Sequence, residues 1–165
     1  MNLRTCLRRC TVKNLANVVI VGVDGAKALG HEQAIDDAIL KILTEYSPEQ
    51  DNIGSGEATG VDSAVRRLAL GAGWELGKNY NPFPPNDLHK HWDCALNCHG
   101  FKWRNLAMAV WANVTYAVTF KTGVQSCYHC FKSIGAEQPH KVNGGCWTMR
   151  RAIQYGKRGV LVVVT

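Results

Sequence analysis

The sequence has no long hydrophobic run. Although 46% of its 165 residues are apolar, the longest uninterrupted apolar stretch, near residues 160–164, is only as long as a β-strand. A transmembrane helix needs roughly 18–20 consecutive apolar residues, so we expect no membrane partner. The first residues carry arginines but neither an apolar segment nor a small-residue cleavage site, which argues against a secretory signal. We therefore expect a cytoplasmic protein.

The cysteines do not form the pattern of a disulfide framework. There are seven of them, an odd number, and disulfide-rich domains are exported proteins with paired cysteines. The thiols are therefore expected to be reduced or to bind a metal.

Internal repeats and low-complexity tracts are also missing, which argues against fibrous or disordered classes.

Length and composition indicate one globular domain. Domains cluster at roughly 100–150 residues, so residues 1–165 are expected to form a single domain with a mobile basic N terminus at residues 1–16. Nineteen Lys and Arg against thirteen Asp and Glu give a net charge of +6. Such an excess favours an anionic partner, either a phosphate-bearing small molecule or nucleic acid.

Hydrophobic patterning predicts alternating strands and helices. Three apolar runs are typical of buried parallel strands, at residues 18–23, 114–120 and 159–164. Apolar residues at helical spacing predict helices at 31–43 and 61–72, near Phe101 and after Gly145. This alternation indicates an α/β fold with a doubly wound, mainly parallel sheet and helices on both faces. A polar insertion near residues 121–145, which contains Cys and His, interrupts it.

Proline is scarce and concentrated in one place. Three of the five prolines lie between residues 82 and 85, where they remove backbone donors and restrict the preceding residues. We therefore predict an irregular surface loop at residues 81–87. A short strand is predicted before it, at residues 74–80.

Two glycine-rich turns are predicted between strands and helices. The first is SGEATGVD at residues 55–62, and the second is Gly144-Gly145. Parallel sheets bind ligands at the carboxyl ends of their strands, and helix N-termini bind phosphates. Neither turn matches GxGxxG or the Walker sequence, so tight strand-to-helix packing remains the alternative.

Three motifs in order resemble a known superfamily. SGEATGVD at 55–62, RNLAM at 104–108 and the glycine turn before MRRA at 149–152 resemble the YspA-type branch of the SLOG superfamily, over about residues 18–164. That superfamily includes the DNA-processing protein DprA and the cytokinin-activating LOG enzymes. The resemblance implies a Rossmann-like fold that binds nucleotides or nucleotide derivatives, in sensors, nucleic-acid binders or N-glycosidic hydrolases. It also implies association into a homo-oligomer.

The turns and the resemblance together define a set of candidate ligand-binding residues. They are Gly54, Ser55, Gly56, Thr59, Gly60, Asp62, Arg104, Asn105, Gly144, Gly145, Thr148 and Arg151. No organic cofactor is predicted.

Two departures from the family pattern affect the expected chemistry. Thr59 stands where the family turn SGGARGAD has arginine, and Arg151 stands where LOG enzymes have their catalytic glutamate. An arginine there can hold a phosphate but cannot act as an acid or base. We therefore expect a protein that binds a nucleotide or an ADP-ribose-like ligand, as a sensor or sequestering module.

Two other functions remain open. An N-glycosidase or deoxyribosyltransferase acting on nucleoside phosphates would use Glu57 or Asp24 as the catalytic carboxylate. Each of these carboxylates could instead cap a helix or face solvent. DprA-like nucleic-acid binding would use the positive charge.

Four cysteines have spacings that suit a structural zinc site. Cys127 and Cys130 form a CxxC pair, and Cys94 and Cys98 lie four residues apart, on one helical face. Other residues that could complete the site with the CxxC pair are His89, His91, His99 and His140. Buried free thiols and a redox pair remain alternatives. Cys146, at a predicted helix start, is a candidate nucleophile without an identified base.

Overall fold

The computed structural model describes residues 15–85 and 101–165 and has an α/β architecture. The strands are β1 (Asn17–Gly22), β2 (Asn52–Ser55), β3 (Tyr80–Pro82), β4 (Val114–Ser126), β5 (Pro139–His140) and β6 (Arg158–Val164). The helices are α1 (Gly25–Ala28), α2 (Glu32–Leu43), α3 (Val61–Gly71), α4 (Phe101–Trp111), α5 (Tyr128–Ile134) and α6 (Gly144–Gln154). Within the described ranges, none of these helices has the length and apolarity to cross a membrane.

Five strands form a parallel sheet in the order β3-β2-β1-β4-β6. β1 lies at the centre, between β2 and β4. Beyond the parallel part, β4 continues and pairs antiparallel with β5, so that Lys121 lies opposite His140. The predicted doubly wound, mainly parallel sheet is confirmed.

Alternate side chains of β1 pack on opposite faces of the sheet. Val18 and Ile20 belong to the main core, which contains the buried faces of α2 and α3. Val19 and Val21 pack on the other side against α4. A strand that is apolar on both faces is typical of the centre of a parallel sheet, and here it brings helices to both sides of the β1 carboxyl end.

The last strand is less buried than its sequence predicts. The uniformly apolar run at 159–164 predicts burial on both faces, whereas most residues of β6 are only partly buried. Among the described strands β6 pairs with β4 alone. Its position at the edge of the sheet, rather than its composition, accounts for the exposure.

Two boundaries also differ from the predictions. β3 begins at Tyr80, where the strand predicted at 74–80 ends, and Pro82 lies opposite Ser55 in the sheet. The prediction of an irregular loop is therefore wrong at 81–82, because an edge strand tolerates proline. β4 extends to Ser126, so the predicted insertion near 121–145 begins inside a strand and includes α5 and β5.

We predict that Gly22→Ala destabilises the fold. A Cβ at this position would lie 2.0 Å from the Val118 carbonyl oxygen and 2.9 Å from Cγ2 of Val61. Overpacking of this kind costs about 1–3 kcal/mol, sometimes more, and urea denaturation would measure it. The control is Gly71→Ala, since a Cβ there meets nothing within 4 Å. Equal stability of the two variants would contradict the prediction.

Candidate functional site

A cleft of about 470 Å³ opens beside the carboxyl end of β1, near the turns before α3 and α6. From β1 the chain proceeds to β2 and β3 on one side, and β4 pairs with β1 on the other. The connections thus leave β1 and β4 in opposite directions, and such a switch point is where open α/β sheets bind ligands. Both glycine-rich turns meet here.

The cleft contains many of the residues predicted from sequence. These are Asp24, Glu57, Thr59, Asp62, Arg104, Asn105, Gly144 and Gly145. They come from the loop after β1, the turn before α3 and the first turn of that helix, the first half of α4 and the first residues of α6. The structure therefore brings together segments that are more than 100 residues apart in the sequence.

The turn before α3 depends on glycine at two positions. Gly60 has φ of +86°, and a Cβ there would lie 2.4 Å from the carbonyl oxygen of Val23. At Gly56 a Cβ would lie 2.6 Å from Oδ2 of Asp62 and 2.9 Å from Cζ of Arg104. The turn is thus held close both to the end of β1 and to the buried side chains of Asp62 and Arg104.

A buried charged pair supports the same turn. Arg104 donates from Nη1 to the carbonyl oxygen of Gly56 and from Nε to Oδ1 of Asn105, 3.0 Å away. The same Nη1 lies 3.9 Å from Oδ2 of Asp62. Both side chains are less than a tenth exposed. Arg104 therefore links the start of α4 to the turn.

Asp62 keeps an acceptor free. Its Oδ1 is buried without a hydrogen-bond partner, while Oδ2 accepts from the amide of Ala58 at 3.4 Å. Burial raises the pKa of Asp62 to about 6, although the Arg104 guanidinium acts in the opposite direction. A buried polar atom without a partner costs free energy, so this carboxylate is held in the site at a cost in stability.

The N-terminus of α6 forms the opposite wall. Asn143 caps the helix by accepting from the Gly145 amide at 2.8 Å. A Cβ on Gly145 would lie 3.0 Å from the backbone of Gly22, and one on Gly144 would lie 3.2 Å from Nδ2 of Asn105. The glycines thus bring helical amides against the end of β1, where they can donate to an anion.

The two candidate catalytic carboxylates are both ion-paired. Asp24 caps α1 and lies 3.3 Å from Nζ of Lys27, and the hydrogen bond from the Lys27 amide lowers its pKa. Glu57 pairs with Arg66 and accepts from the Tyr80 hydroxyl at 3.4 Å. Helix capping therefore occurs at Asp24, as the sequence alternative allowed.

Other predicted residues do not line the cleft. Ser55 donates to the carbonyl oxygen of Ile20, and Thr148 donates to that of Gly144. The Arg151 guanidinium lies over the Trp147 ring and bonds Gln154. Gly56 and Gly60 allow the turn to approach the neighbouring backbone and side chains closely, whereas Gly54 packs against Phe83 and Trp111.

Sequence reasoning missed part of the lining. The missed residues are Val21, Gly22, Lys27, Ala58, Pro85, Phe101 and Asn143. Asn143 carried a readable signal, because Asn is a preferred N-cap before a helix. Lys27 carried none, since α1 is only four residues long and shows no periodicity.

A second cluster lies beside α6. The ligand atoms of Cys127, Cys130, His140 and Cys146 all lie within 4.8 Å of one another, and all four residues are buried. Cys127 is the N-cap residue of α5 and Cys130 lies in its first turn, His140 lies in β5, and Cys146 belongs to α6. Three thiols and an imidazole at this spacing could hold a metal ion.

The histidine is oriented for coordination. Nδ1 of His140 lies 2.8 Å from the carbonyl oxygen of Gln138, and a carbonyl only accepts, so Nδ1 carries the hydrogen. Nε2 then faces Sγ of Cys146 at 3.7 Å. The hydrogen bond from Nδ1 to the Gln138 carbonyl is the kind of backbone support that orients metal-binding histidines.

The thiols do not share one ionisation state. A hydrogen bond from Cys130, supported by the Asn143 amide and His140, lowers the pKa of Cys146 to about 6. The same contact with Cys146 raises the pKa of Cys130, and burial raises that of Cys127. Thiolates are the metal-binding form, so the lowered pKa of Cys146 favours metal binding at this position.

The cluster corresponds in part to the predicted zinc ligands. Cys127 and Cys130 come together, but with His140 and Cys146. His140 was one of the histidines that the sequence left open, whereas Cys146 was considered only as a nucleophile, and its complete burial closes that role to a substrate. Cys94 and Cys98 lie outside the described residues, as do His89, His91 and His99.

Comparison with known proteins supports the fold. No family model matches the chain, and no curated protein does. Among solved structures, TM1055, a structural genomics target, superposes with a TM-score of 0.56 at 15% identity, over 88% of this chain and 72% of that protein. The likeness is to a Rossmann-like α/β fold.

We predict that Asp62→Asn changes how stability depends on pH. The folded-state pKa of Asp62 is raised to about 6 from 3.8, so the folded chain retains a proton that the unfolded chain releases. The retained proton stabilises the folded state fully below about pH 4, and this stabilisation is lost as the pH rises through about 6. Its size is on the order of 3 kcal/mol, at about 1.36 kcal/mol per pKa unit.

Urea denaturation of both proteins across this window measures the effect. The stability of the wild type relative to the variant should fall as the pH rises. A difference that stays constant with pH would contradict the prediction.

Proposed function

We propose that the protein binds a nucleotide or an ADP-ribose-like nucleotide derivative in the cleft, as a sensor or sequestering module of the SLOG type. The observation that carries this proposal is the meeting of two helix N-termini with a buried arginine at the switch point of the sheet. Backbone amides and the helix dipole favour a phosphate there.

Cleft size and composition suit such a ligand. About 470 Å³ falls within the range of small-molecule pockets, roughly 300–1,000 Å³. Phe101 is 61% exposed at the rim, with the Arg104 guanidinium 5.1 Å from its ring centre. An exposed aromatic ring of this kind can stack on a base, while Lys27 supplies a flexible positive charge.

Binding is better supported than cleavage. Asp24 and Glu57 line the cleft but are ion-paired with Lys27 and Arg66, which favours a structural role for both carboxylates over a catalytic one. The glycosidase alternative would have to break one of these pairs. DprA-like nucleic-acid binding rests on the net charge of +6 alone.

We predict that Gly144→Ala weakens ligand binding without unfolding the protein. The added methyl would lie 3.2 Å from Nδ2 of Asn105, a contact that a small side-chain shift relieves, but it crowds the α6 amides. Calorimetric titration with ADP-ribose, AMP and inorganic phosphate should show affinity reduced about tenfold or more, equivalent to about 1.4 kcal/mol. Gly71→Ala is the matched control.

Native mass spectrometry of the purified protein would reveal a retained ligand and extend the panel. Equal affinity in the two variants would place binding elsewhere. If the wild type binds no member of the panel and retains no small molecule, the proposed function is wrong.

We further infer that the cluster of three cysteines and His140 holds a structural zinc ion. The donor set is one that structural zinc uses, and tetrahedral ligands around zinc lie roughly 3.5–3.8 Å apart. The 3.7 Å between Cys146 Sγ and His140 Nε2 already meets that spacing. Zinc would join α5, β5 and α6, which share little other core.

We predict about one zinc per chain, lost on His140→Ala and retained on Cys94→Ser. The first variant removes a member of the observed cluster, whereas the second removes a ligand predicted from sequence alone. Elemental analysis of proteins purified without chelators measures the ratio. Loss of zinc from Cys94→Ser with retention in His140→Ala would favour the sequence-predicted ligand set.

A further inference from the structure

The wall of the cleft formed by α6 lies between two members of the metal cluster. His140 and Cys146 bracket the short segment that contains Asn143, Gly144 and Gly145. The cleft residues are therefore the central part of a loop whose two ends meet at one point. Any change in the distance between those ends must alter the backbone between them.

Hydrogen bonds fix the first half of this loop to β4. The Lys141 amide donates to the carbonyl oxygen of Phe120 at 3.0 Å, and Thr119 donates from Oγ1 to the Lys141 carbonyl at 2.6 Å. Asn143 Nδ2 also donates to that carbonyl, at 2.9 Å. Asn143 then accepts from Gly145, so the chain from β4 to the helix N-terminus is one connected set of bonds.

The second half depends on Cys146. The core around it contains only a few buried side chains, and most of them are cysteines: Ala117, Cys127, Cys130, Cys146 and Met149. The neighbouring apolar residues of α5 and the loop are substantially exposed, with Phe131 at 47%, Ile134 at 42% and Val142 at 44%. The apolar core on this side of α6 is therefore small, and bonds from a metal to the thiolates would add to the support of the helix N-terminus.

We propose that metal binding at the Cys127, Cys130, His140 and Cys146 cluster and ligand binding in the cleft are linked, because the metal holds the Asn143–Gly145 turn in its binding geometry. This inference rests on the proposed function and adds regulation to it. With the metal bound, the turn is preorganised and the ligand does not bear the cost of ordering it. Without the metal, the α6 N-terminus loosens while the sheet remains.

Linkage is reciprocal. If the metal tightens ligand binding by some factor, the ligand must tighten metal binding by the same factor. The cleft and the metal cluster have no described residue in common, so the coupling passes through the backbone of α6. This makes two independent measurements available.

The first measurement needs no ligand. Hydrogen exchange of the protein loaded with one zinc is compared with that of the chelator-stripped protein, for peptides covering residues 141–149 and 17–22. We expect stripping to remove protection at 141–149 and to leave the central strand at 17–22 protected. Unchanged exchange at 141–149 after complete zinc removal would overturn the proposal.

The second measurement uses ADP-ribose as the probe. Stripped protein should bind it at least about tenfold more weakly than zinc-loaded protein, within the range of about 5- to 150-fold that is usual for coupled sites. In return, saturating ADP-ribose should slow the transfer of zinc from the loaded protein to a chromogenic chelator. The zinc-transfer measurement uses only zinc-loaded protein. It therefore remains decisive even if removal of zinc also unfolds the central strand.

The two possible failures are distinguishable. If zinc-loaded protein binds ADP-ribose and stripped, folded protein binds it equally well, linkage is wrong and the proposed function stands. If loaded protein binds no member of the ligand panel, the proposed function fails and the linkage falls with it. Zinc transfer that is unaffected by bound ADP-ribose also overturns the linkage.

Variants at Cys127 separate the metal from the cleft. Cys127 lies at the start of α5 and does not line the cleft. Cys127→Ser should lose zinc and bind ADP-ribose as weakly as stripped protein. Cys127→His keeps a ligating atom and should retain both zinc and affinity; full affinity in a zinc-free Cys127→Ser protein would contradict the proposal.

Discussion

Four elements approach one another at Gly22 without space for a single side chain. The Val118 carbonyl of β4 and the Val61 side chain of α3 occupy the volume that a Cβ would need, and Gly145 at the start of α6 lies against the Gly22 backbone. This close approach lets two helices begin beside the end of one central strand. It also brings helical amides within reach of a common ligand, so the cleft depends on this contact.

The cleft is not a uniformly positive site. Lys27, Arg104 and two helix N-termini are opposed by Asp24, Glu57 and Asp62. Because the positive groups are mostly engaged by these carboxylates, the site does not simply attract anions.

The sequence predicted the fold well because its signals are local. The apolar run of β1 and the helical spacing of α2 and α3 lie within single elements, and each was placed to within about two residues. The exposure of β6 could not be predicted in this way, because it depends on which strands lie beside it. The prediction of the metal ligands was incomplete for the same reason. β5 pairs antiparallel with β4 and so brings His140 to the thiols, and spacing in the sequence does not reveal such a pairing.

The backbone of Glu57 connects the shape of the turn to its electrostatics. Its φ of +52° is in the left-handed region, which costs a residue with a Cβ on the order of 1–2 kcal/mol relative to glycine. Glycine adopts this conformation without that cost. Here the carboxylate bonds Arg66 and the Tyr80 hydroxyl. The residue that strains the backbone of the turn is thus also the one whose side chain ties the turn to α3 and to the edge strand β3.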